Sequence, residues 1–242
     1  MTPRRLHIVS VTHRGLAREG NEDCLVVGRD VTQKPTSEII EKTIELDQPV
    51  LCMVADGMGG HSCGEVASLF AGERLADLAA TLPPQPDAVG DAVETVNREL
   101  FARMQTATEY MGMGTTVAGI LFFPERCVCF NVGDSSVFRV QGAFLAKLST
   151  DDVSLCIKPG ALTQALGGAP DYLAVAPHVR EEKDYNGRSY LICSDGLTDM
   201  VPLDDMEGLI SDDPKETVSK LLEAALANGG RDNVSILFIR SN

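Results

Sequence analysis

Val50-Leu51-Cys52-Met53-Val54-Ala55-Asp56-Gly57 is the stretch on which the reading of this chain turns. Its unbroken apolar run suits a buried strand, and the Asp-Gly that closes it suits a turn. Upstream, Leu6–Val11 and Cys24–Gly28 are also strand-like, while residues 30–49 are polar and mixed and read as a loop or hairpin excursion. Downstream a helix is expected. Ser62-Cys63-Gly64-Glu65 has capping-box form, Ala67, Phe70, Ala71, Leu75 and Leu78 recur at helical spacing, and Pro83-Pro84 ends the pattern. A second helix is expected over Asp87–Thr108, with Val89, Val93, Val96, Leu100 and Met104 on one stripe.

Beyond it the period changes from helical to alternating. Thr115–Phe123, Cys127–Val132, Ser136–Val140, Ala143–Leu148, Tyr172–Arg180 and Ser189–Cys193 read as strands separated by turn residues. Asp213-Pro214-Lys215-Glu216 then opens a last helix with Val218, Leu221, Leu222, Ala225 and Leu226 on one face. Gly229 ends it, and Val234–Ile239 is a closing strand. Strands, a helix pair, many strands, a helix and a strand are not the alternation of a parallel sheet. They imply an α+β fold of antiparallel sheets with helices packed outside.

The 242 residues, 44% of them hydrophobic, can bury one large core, and no segment has a linker's composition, so residues 1–242 read as a single domain. A net charge of −14 argues against nucleic acid as a partner. It fits either solubility or carboxylates gathered for a hard cation. Met1-Thr2-Pro3-Arg4-Arg5-Leu6-His7 is not backed by the apolar stretch of a leader, and Val50–Ala55 is far too short to cross a bilayer. The seven cysteines are scattered; Cys127 and Cys129 alternate with Val128, so they share a side and read as core thiols rather than metal ligands. A reducing cytoplasm is the expected location.

Acidic residues recur beside Gly or Asn at predicted strand ends: Asn21-Glu22-Asp23, Asp56-Gly57, Gly133-Asp134, Ser194-Asp195-Gly196 and Arg231-Asp232-Asn233. Any one of these alone is an ordinary turn. Together they can aim carboxylates into one cleft, and a Gly lets a backbone carbonyl come close enough to act as a further ligand. Converging carboxylates stay ionised only if cations neutralise them. Mg²⁺ and Mn²⁺, hard ions that take oxygen ligands, suit that task. Two such ions about 3.5–4 Å apart can activate a shared water for attack on phosphorus.

The chain resembles the bacterial PPM, or type 2C, family of metal-dependent protein phosphatases. The resemblance rests on Arg18-Glu19-Gly20-Asn21-Glu22-Asp23, Val54-Ala55-Asp56-Gly57-Met58-Gly59-Gly60-His61, Gly112-Met113-Gly114-Thr115-Thr116 and Val132-Gly133-Asp134-Ser135. It continues in Leu162-Thr163-Gln164-Ala165-Leu166-Gly167, Ser194-Asp195-Gly196-Leu197-Thr198-Asp199 and Gly230-Arg231-Asp232-Asn233. It implies a four-layer α-β-β-α sandwich of two antiparallel sheets flanked by helices, with two Mn²⁺ or Mg²⁺ ions at one end. Asp56 is then expected to bridge both ions. Asp195 and Asp232 would hold the first, and Glu22 and the Gly57 carbonyl the second. Asp134, with Asp195, would hold a weaker third, and Asp23 a metal-coordinated water. Arg18 matches the arginine that grips the substrate phosphate, a task its planar fork suits. Asn233 is read as shaping its turn. The implied partners are phosphorylated proteins, by analogy a Hanks-type kinase or a forkhead-associated-domain protein of a type VI secretion system, met by a monomer.

The chain departs from the family pattern at several places. Met58 stands where many eukaryotic members carry a histidine that could serve as general acid, and His61 is read as packing or facing solvent rather than replacing it. His13, Ser136 and Asp151-Asp152-Val153 also differ, which bears on surface contacts and substrate choice. Ser154-Leu155-Cys156-Ile157-Lys158-Pro159-Gly160-Ala161-Leu162 is shorter than the flap of many bacterial members, which is expected to leave the cleft open to phosphopeptides and small aryl phosphates. Cys156 is read as a packed thiol. Two other functions stay open at this point: a phosphoprotein-binding module of the same fold, and a metal-dependent hydrolase of another phosphoester such as a nucleotide.

Overall fold

The computed structural model describes residues 4–35, 38–59, 63–156 and 160–242. The chain opens with strands β1 (Arg5–His13), β2 (Asp23–Val27), β3 (Asp30–Thr32), β4 (Ile40–Glu45) and β5 (Val50–Met58), followed by helices α1 (Cys63–Ala79) and α2 (Pro86–Met104). Next come β6 (Gly114–Thr115), β7 (Val117–Phe122), β8 (Arg126–Val132), β9 (Ser136–Gln141), β10 (Phe144–Lys147), β11 (Leu166–Gly167), β12 (His178–Lys183) and β13 (Ser189–Cys193). Short helices α3 (Asp195–Thr198) and α4 (Leu203–Gly208), the longer α5 (Pro214–Ala227) and strand β14 (Val234–Ser241) complete it.

A six-stranded sheet runs β10-β9-β13-β14-β1-β4, and an eight-stranded sheet is built around β5, which pairs with β2 on one side and β7 on the other. All of the strand pairs are antiparallel. Three apolar layers hold the sandwich together. Leu51, Met53 and Ala55 of β5 face α1 and α2, while Cys52 and Val54 face the other sheet. Burial on both faces is why the β5 sequence is apolar without interruption. In β14, Leu237 and Ile239 face between the sheets and Ile236 and Phe238 pack under α5. This is the expected α-β-β-α layering.

Helix α1 lies close on its sheet because its buried face is small: Gly64, Ala67, Ser68, Ala71 and Gly72. A Cβ on Gly72 would stand 2.9 Å from the Cys24 sulfur. Helix α5 starts as its sequence predicts, with the Asp213 carboxylate accepting the Lys215 N–H at 2.9 Å and Pro214 in the first turn. Cys127 and Cys129 do share the inter-sheet side, away from Val128, and no disulfide forms among the described residues.

Three expectations need correction. Residues 30–49 are not a single loop or hairpin excursion, although Asp30–Thr32 do close a hairpin with β2. They form β3 on one sheet and β4 on the other, both at edges, and edge exposure accounts for their polarity. Helix α2 stops at Met104, where the Thr106 hydroxyl closes on the Arg103 carbonyl at 2.7 Å, and a separate 3-10 turn covers Thr108–Tyr110. Residues 172–177 are not a strand. Helix α2 takes the place of a strand partner there: Asn97 donates to the Leu173 carbonyl at 2.9 Å, and Glu94 accepts the Val175 N–H at 3.0 Å. Helices α3 and α4 are too short to leave a periodic signature. Ser62, the expected cap of α1, lies outside the described residues.

Candidate active site

Antiparallel register brings the acidic strand ends to one end of the sandwich. His13 of β1 pairs with Val234, the first residue of β14, and Cys193 at the end of β13 pairs with Ile236 and with Ser136 at the start of β9. In the second sheet Asp23 pairs with Asp56, Val54 with Ala118, and Val117 with Val132. A cleft of about 560 Å³ opens there, and Arg18, Glu22, Asp56, Gly57, Asp134, Asp195 and Asp232 all line it. Asp23 is fully buried beneath and accepts the Ser194 hydroxyl across the two sheets at 2.8 Å.

Uncharged residues hold these groups in place. Asn233 accepts the Glu22 N–H at 2.8 Å and donates to the Arg14 and Gly20 carbonyls at 2.9 Å each, so its side chain fixes the loop that carries Arg18. Asn21 donates to the Thr12 hydroxyl at 2.8 Å and the Gln33 carbonyl at 2.9 Å. Thr116 takes the Asp56 N–H at 3.3 Å and bonds Ser135 at 2.8 Å, tying β5 to the Asp134 loop. Gly57 and Gly64 allow α1 to meet the strand end: a Cβ on Gly57 would lie 2.2 Å from the Gly64 carbonyl oxygen, and one on Gly64 would lie 2.2 Å from a Glu22 carboxylate oxygen.

The cleft is electrostatically tense. Burial pushes Asp23 up to about 6, opposed by hydrogen bonds from Ser235 and Ser194 and reinforced by Asp232 and Glu22. Burial and the nearby Asp134 push Asp195 up to about 7. Asp56 lies well above the usual carboxylate range, through burial and the charges of Asp23 and Asp195. Burial also raises Glu22 and Asp134. Arg18, on the rim, forms a 2.6 Å ion pair with Asp232, whose other oxygen accepts the Asn233 N–H at 2.8 Å. That hydrogen bond to Asp232 raises the Arg18 guanidinium further.

As the side chains stand, no three His, Cys, Asp or Glu among the described residues are arranged to hold a metal ion. Asp232 is turned to Arg18, and the charge of Asp195 acts on Asp56 across the cleft. The donor set nevertheless fits hard divalent cations. It is all oxygen, and Asp195 and Asp23 each carry a buried carboxylate oxygen with no hydrogen-bond partner. Burial and mutual repulsion favour the protonated forms of Asp23, Asp56 and Asp195, and a bound cation would relieve both.

The family model for Protein phosphatase 2C matches residues 40–228. This chain belongs to the protein phosphatase 2C family. The serine/threonine protein phosphatase PstP of Mycobacterium tuberculosis is 30% identical over 256 residues, covering 96% of this chain and 44% of PstP, so the chain spans less than half of that relative's length. The serine/threonine phosphatase stp of Listeria monocytogenes is 29% identical over 258 residues, 97% of this chain and 95% of stp. The PstP catalytic domain, solved in complex with two manganese ions, superposes with a TM-score of 0.79 at 29% identity over 98% of this chain and 99% of that one. PppA, described as a key regulatory component of T6SS in Pseudomonas aeruginosa, is alike in fold (TM-score 0.74, 24% identity, 98% of each chain).

Within this protein phosphatase 2C fold, the departures from the family pattern take definite places. Met58 lines the cleft, and His61 lies outside the described residues. His13 is half-buried and accepts the Gly15 N–H at 2.9 Å at the start of the Arg18 loop; burial and Arg14 lower its pKa. Ser136 is buried, so it is not a surface contact. Neither is Asp152, which local sequence gave no means of recognising as a hub. Its carboxylate accepts the Gly133 N–H at 2.9 Å, Gln164 at 2.9 Å and His178 at 2.8 Å, and its carbonyl accepts the Thr163 N–H at 2.7 Å. It thus fastens the Asp134 loop to the base of the flap. The flap closes on itself through a Val153–Leu162 bridge and a 2.8 Å bond from the Ser154 N–H to the Ala161 carbonyl, and residues 157–159 lie outside the described residues. Cys156 is exposed, not packed as expected.

Proposed function

We propose that this chain, residues 1–242 as one catalytic domain, is a metal-dependent protein serine/threonine phosphatase that releases phosphate from phosphoserine and phosphothreonine. The observation that carries this reading is the convergence of Glu22, Asp56, Asp195 and Asp232 on one cleft with Arg18 at its rim. Asp56 would be held in common by two Mn²⁺ or Mg²⁺ ions. Asp195 and Asp232 would hold the first with it, Glu22 and the Gly57 carbonyl the second, and Asp134 with Asp195 a weaker third. When bound, the ions neutralise the phosphoryl oxygens and supply the acidity that makes water a nucleophile at neutral pH.

The protein's own groups do the rest. Arg18 offers a guanidinium fork to two oxygens of the substrate phosphate, and Asp232 keeps that fork over the cleft. Asp23 acts through solvent, being buried below the cleft. Met58 has no proton to give, so solvent protonates the leaving oxygen. The short flap leaves the cleft accessible to phosphopeptides and aryl phosphates alike.

The substrates are phosphorylated proteins. A Hanks-type kinase and a forkhead-associated-domain protein of a type VI secretion system are the first to examine, the latter in view of PppA. A monomer working in the cytoplasm is the setting proposed for it; no helix among the described residues is long and apolar enough to cross a membrane.

The deciding experiment is phosphate release from a phosphothreonine peptide with Mn²⁺, with chelator, and by Asp56→Asn. Activity should need the metal and vanish in Asp56→Asn. Arg18→Ala should raise KM roughly ten- to a hundredfold, since a hydrogen bond to a charged group is lost. Full metal occupancy without turnover would make the chain a binding module, and a nucleotide preferred by orders of magnitude would make it a different hydrolase.

A further inference from the structure

Glu182 on β12 is 5% exposed and receives three arginines: Arg139 of β9 at 2.7 Å, Arg180 of β12 at 3.2 Å, and Arg188, just before β13, at 3.2 Å. A buried carboxylate needs one partner cation to offset its desolvation. Arg139 suffices for that. It makes the shortest contact, is the least exposed of the three at 21%, and reaches from one sheet to the other. Arg188 doubles Arg139 on one Glu182 oxygen and Arg180 serves the other, so in charge Arg180 and Arg188, with side chains 53% and 36% exposed, add two guanidiniums beyond the one that neutralises Glu182. Each has N–H donors beyond the one given to Glu182.

Arg180 also borders a second cleft, of about 330 Å³, in which His178, Asn131 and the Ser149 and Thr150 residues supply the polar wall. Guanidinium, imidazole and hydroxyl groups are what an anionic side chain needs for direct hydrogen bonding. The setting sharpens the point. The whole chain carries a net charge of −14 and its catalytic cleft is lined with carboxylates, so an acidic protein segment is repelled from most approaches. This second cleft lies just behind the Asp134 loop, because His178 and the Gly133 N–H bond the same Asp152 carboxylate.

We propose that Arg180, Arg188 and the adjoining cleft form a docking site for an acidic segment of the protein substrate, distinct from the phosphate that is hydrolysed. The proposal rests on the phosphatase reading for its biological sense, but docking is measurable without turnover. Complementary charge of this kind acts on encounter and selectivity, and it weakens as salt rises.

The test uses the full chain and a fluorescein-labelled decaglutamate peptide, followed by anisotropy at low and physiological ionic strength. The wild type should bind, and Arg180→Ala/Arg188→Ala should bind roughly tenfold more weakly. A control of equal charge change on distant helices, Arg98→Ala/Lys220→Ala, should bind like the wild type. Arg139 is left in place so that Glu182 stays neutralised, and an unchanged melting temperature verifies the fold. In turnover, a phosphothreonine peptide followed by a glutamate tract should show a lower KM than its glutamine counterpart. The double variant should abolish that difference while aryl phosphate hydrolysis stays unchanged. No binding by the wild type, equal weakening in both double variants, or more effective displacement by a single-stranded RNA than by unlabelled decaglutamate would overturn the docking site. Failure to hydrolyse aryl phosphate with Mn²⁺ would count against the phosphatase reading alone.

Discussion

Asn233 carries no charge, yet its position determines where two charged groups stand. Its amide takes the Glu22 N–H and gives hydrogens to the Arg14 and Gly20 carbonyls, so the loop bearing Arg18 is anchored at both ends and Glu22 at its backbone. The residue is 4% exposed, so no water can readily replace these bonds. A buried group left without a partner costs about 1–3 kcal/mol. Asn233→Ala is therefore expected to lower stability by about 2–4 kcal/mol, allowing for partial relaxation. Mn²⁺ binding should weaken as well. Urea unfolding and calorimetric titration measure the two effects, and a variant indistinguishable from wild type in both would show that the loop is held by something else. Neighbouring sequence signalled a turn at Asp232-Asn233. It could not say that the amide reaches residues more than two hundred positions away.

At the scale of elements, the flap and its base decide how the cleft meets a substrate. The described ends of residues 154–162 pair with each other, Leu162 stands in the cleft wall and Leu155 is 84% exposed. Asp152 joins the base of the flap to the Asp134 loop. A segment of only nine residues can contact little of a substrate beyond the part nearest the phosphate. Replacing residues 154–162 with a longer flap is expected to move KM across a phosphopeptide panel more than kcat, because it adds contacts made equally in ground and transition states. Identical specificity before and after the graft would remove the flap from the account of substrate choice. Element boundaries were legible where local rules governed them, as in the Asp213 cap and the β5 run. Residues 172–177 went astray because α2 side chains, not a neighbouring strand, satisfy their backbone.

For the whole molecule, the carboxylate end of the sandwich makes stability depend on protons and cations together. Asp23 and Asp195 are raised from an unfolded value of 3.8 to about 6 and about 7, so the folded state holds their protons more tightly than the unfolded chain does. Their contribution is full below about pH 4 and is lost as pH rises through the folded values. In chelator the melting temperature should therefore fall between pH 5 and 8. Mn²⁺ should recover most of that fall, since a cation replaces the lost protons. Scanning calorimetry tests this; a chelated protein whose melting temperature holds steady or climbs over that range would contradict the proposed carboxylate strain. Sequence alone determined the apolar strands of both sheets, though not β3 and β4 at their edges, with the long helices and the acidic stations at the strand ends, because alternation, capping and turn chemistry are local and act on neighbouring residues. Tertiary structure alone decided that Asp232 faces Arg18, that Asp152 binds the Asp134 loop to the flap, and that three arginines meet one buried glutamate. Each of those depends on which distant segments the antiparallel register sets side by side, and no short stretch of chain contains that information.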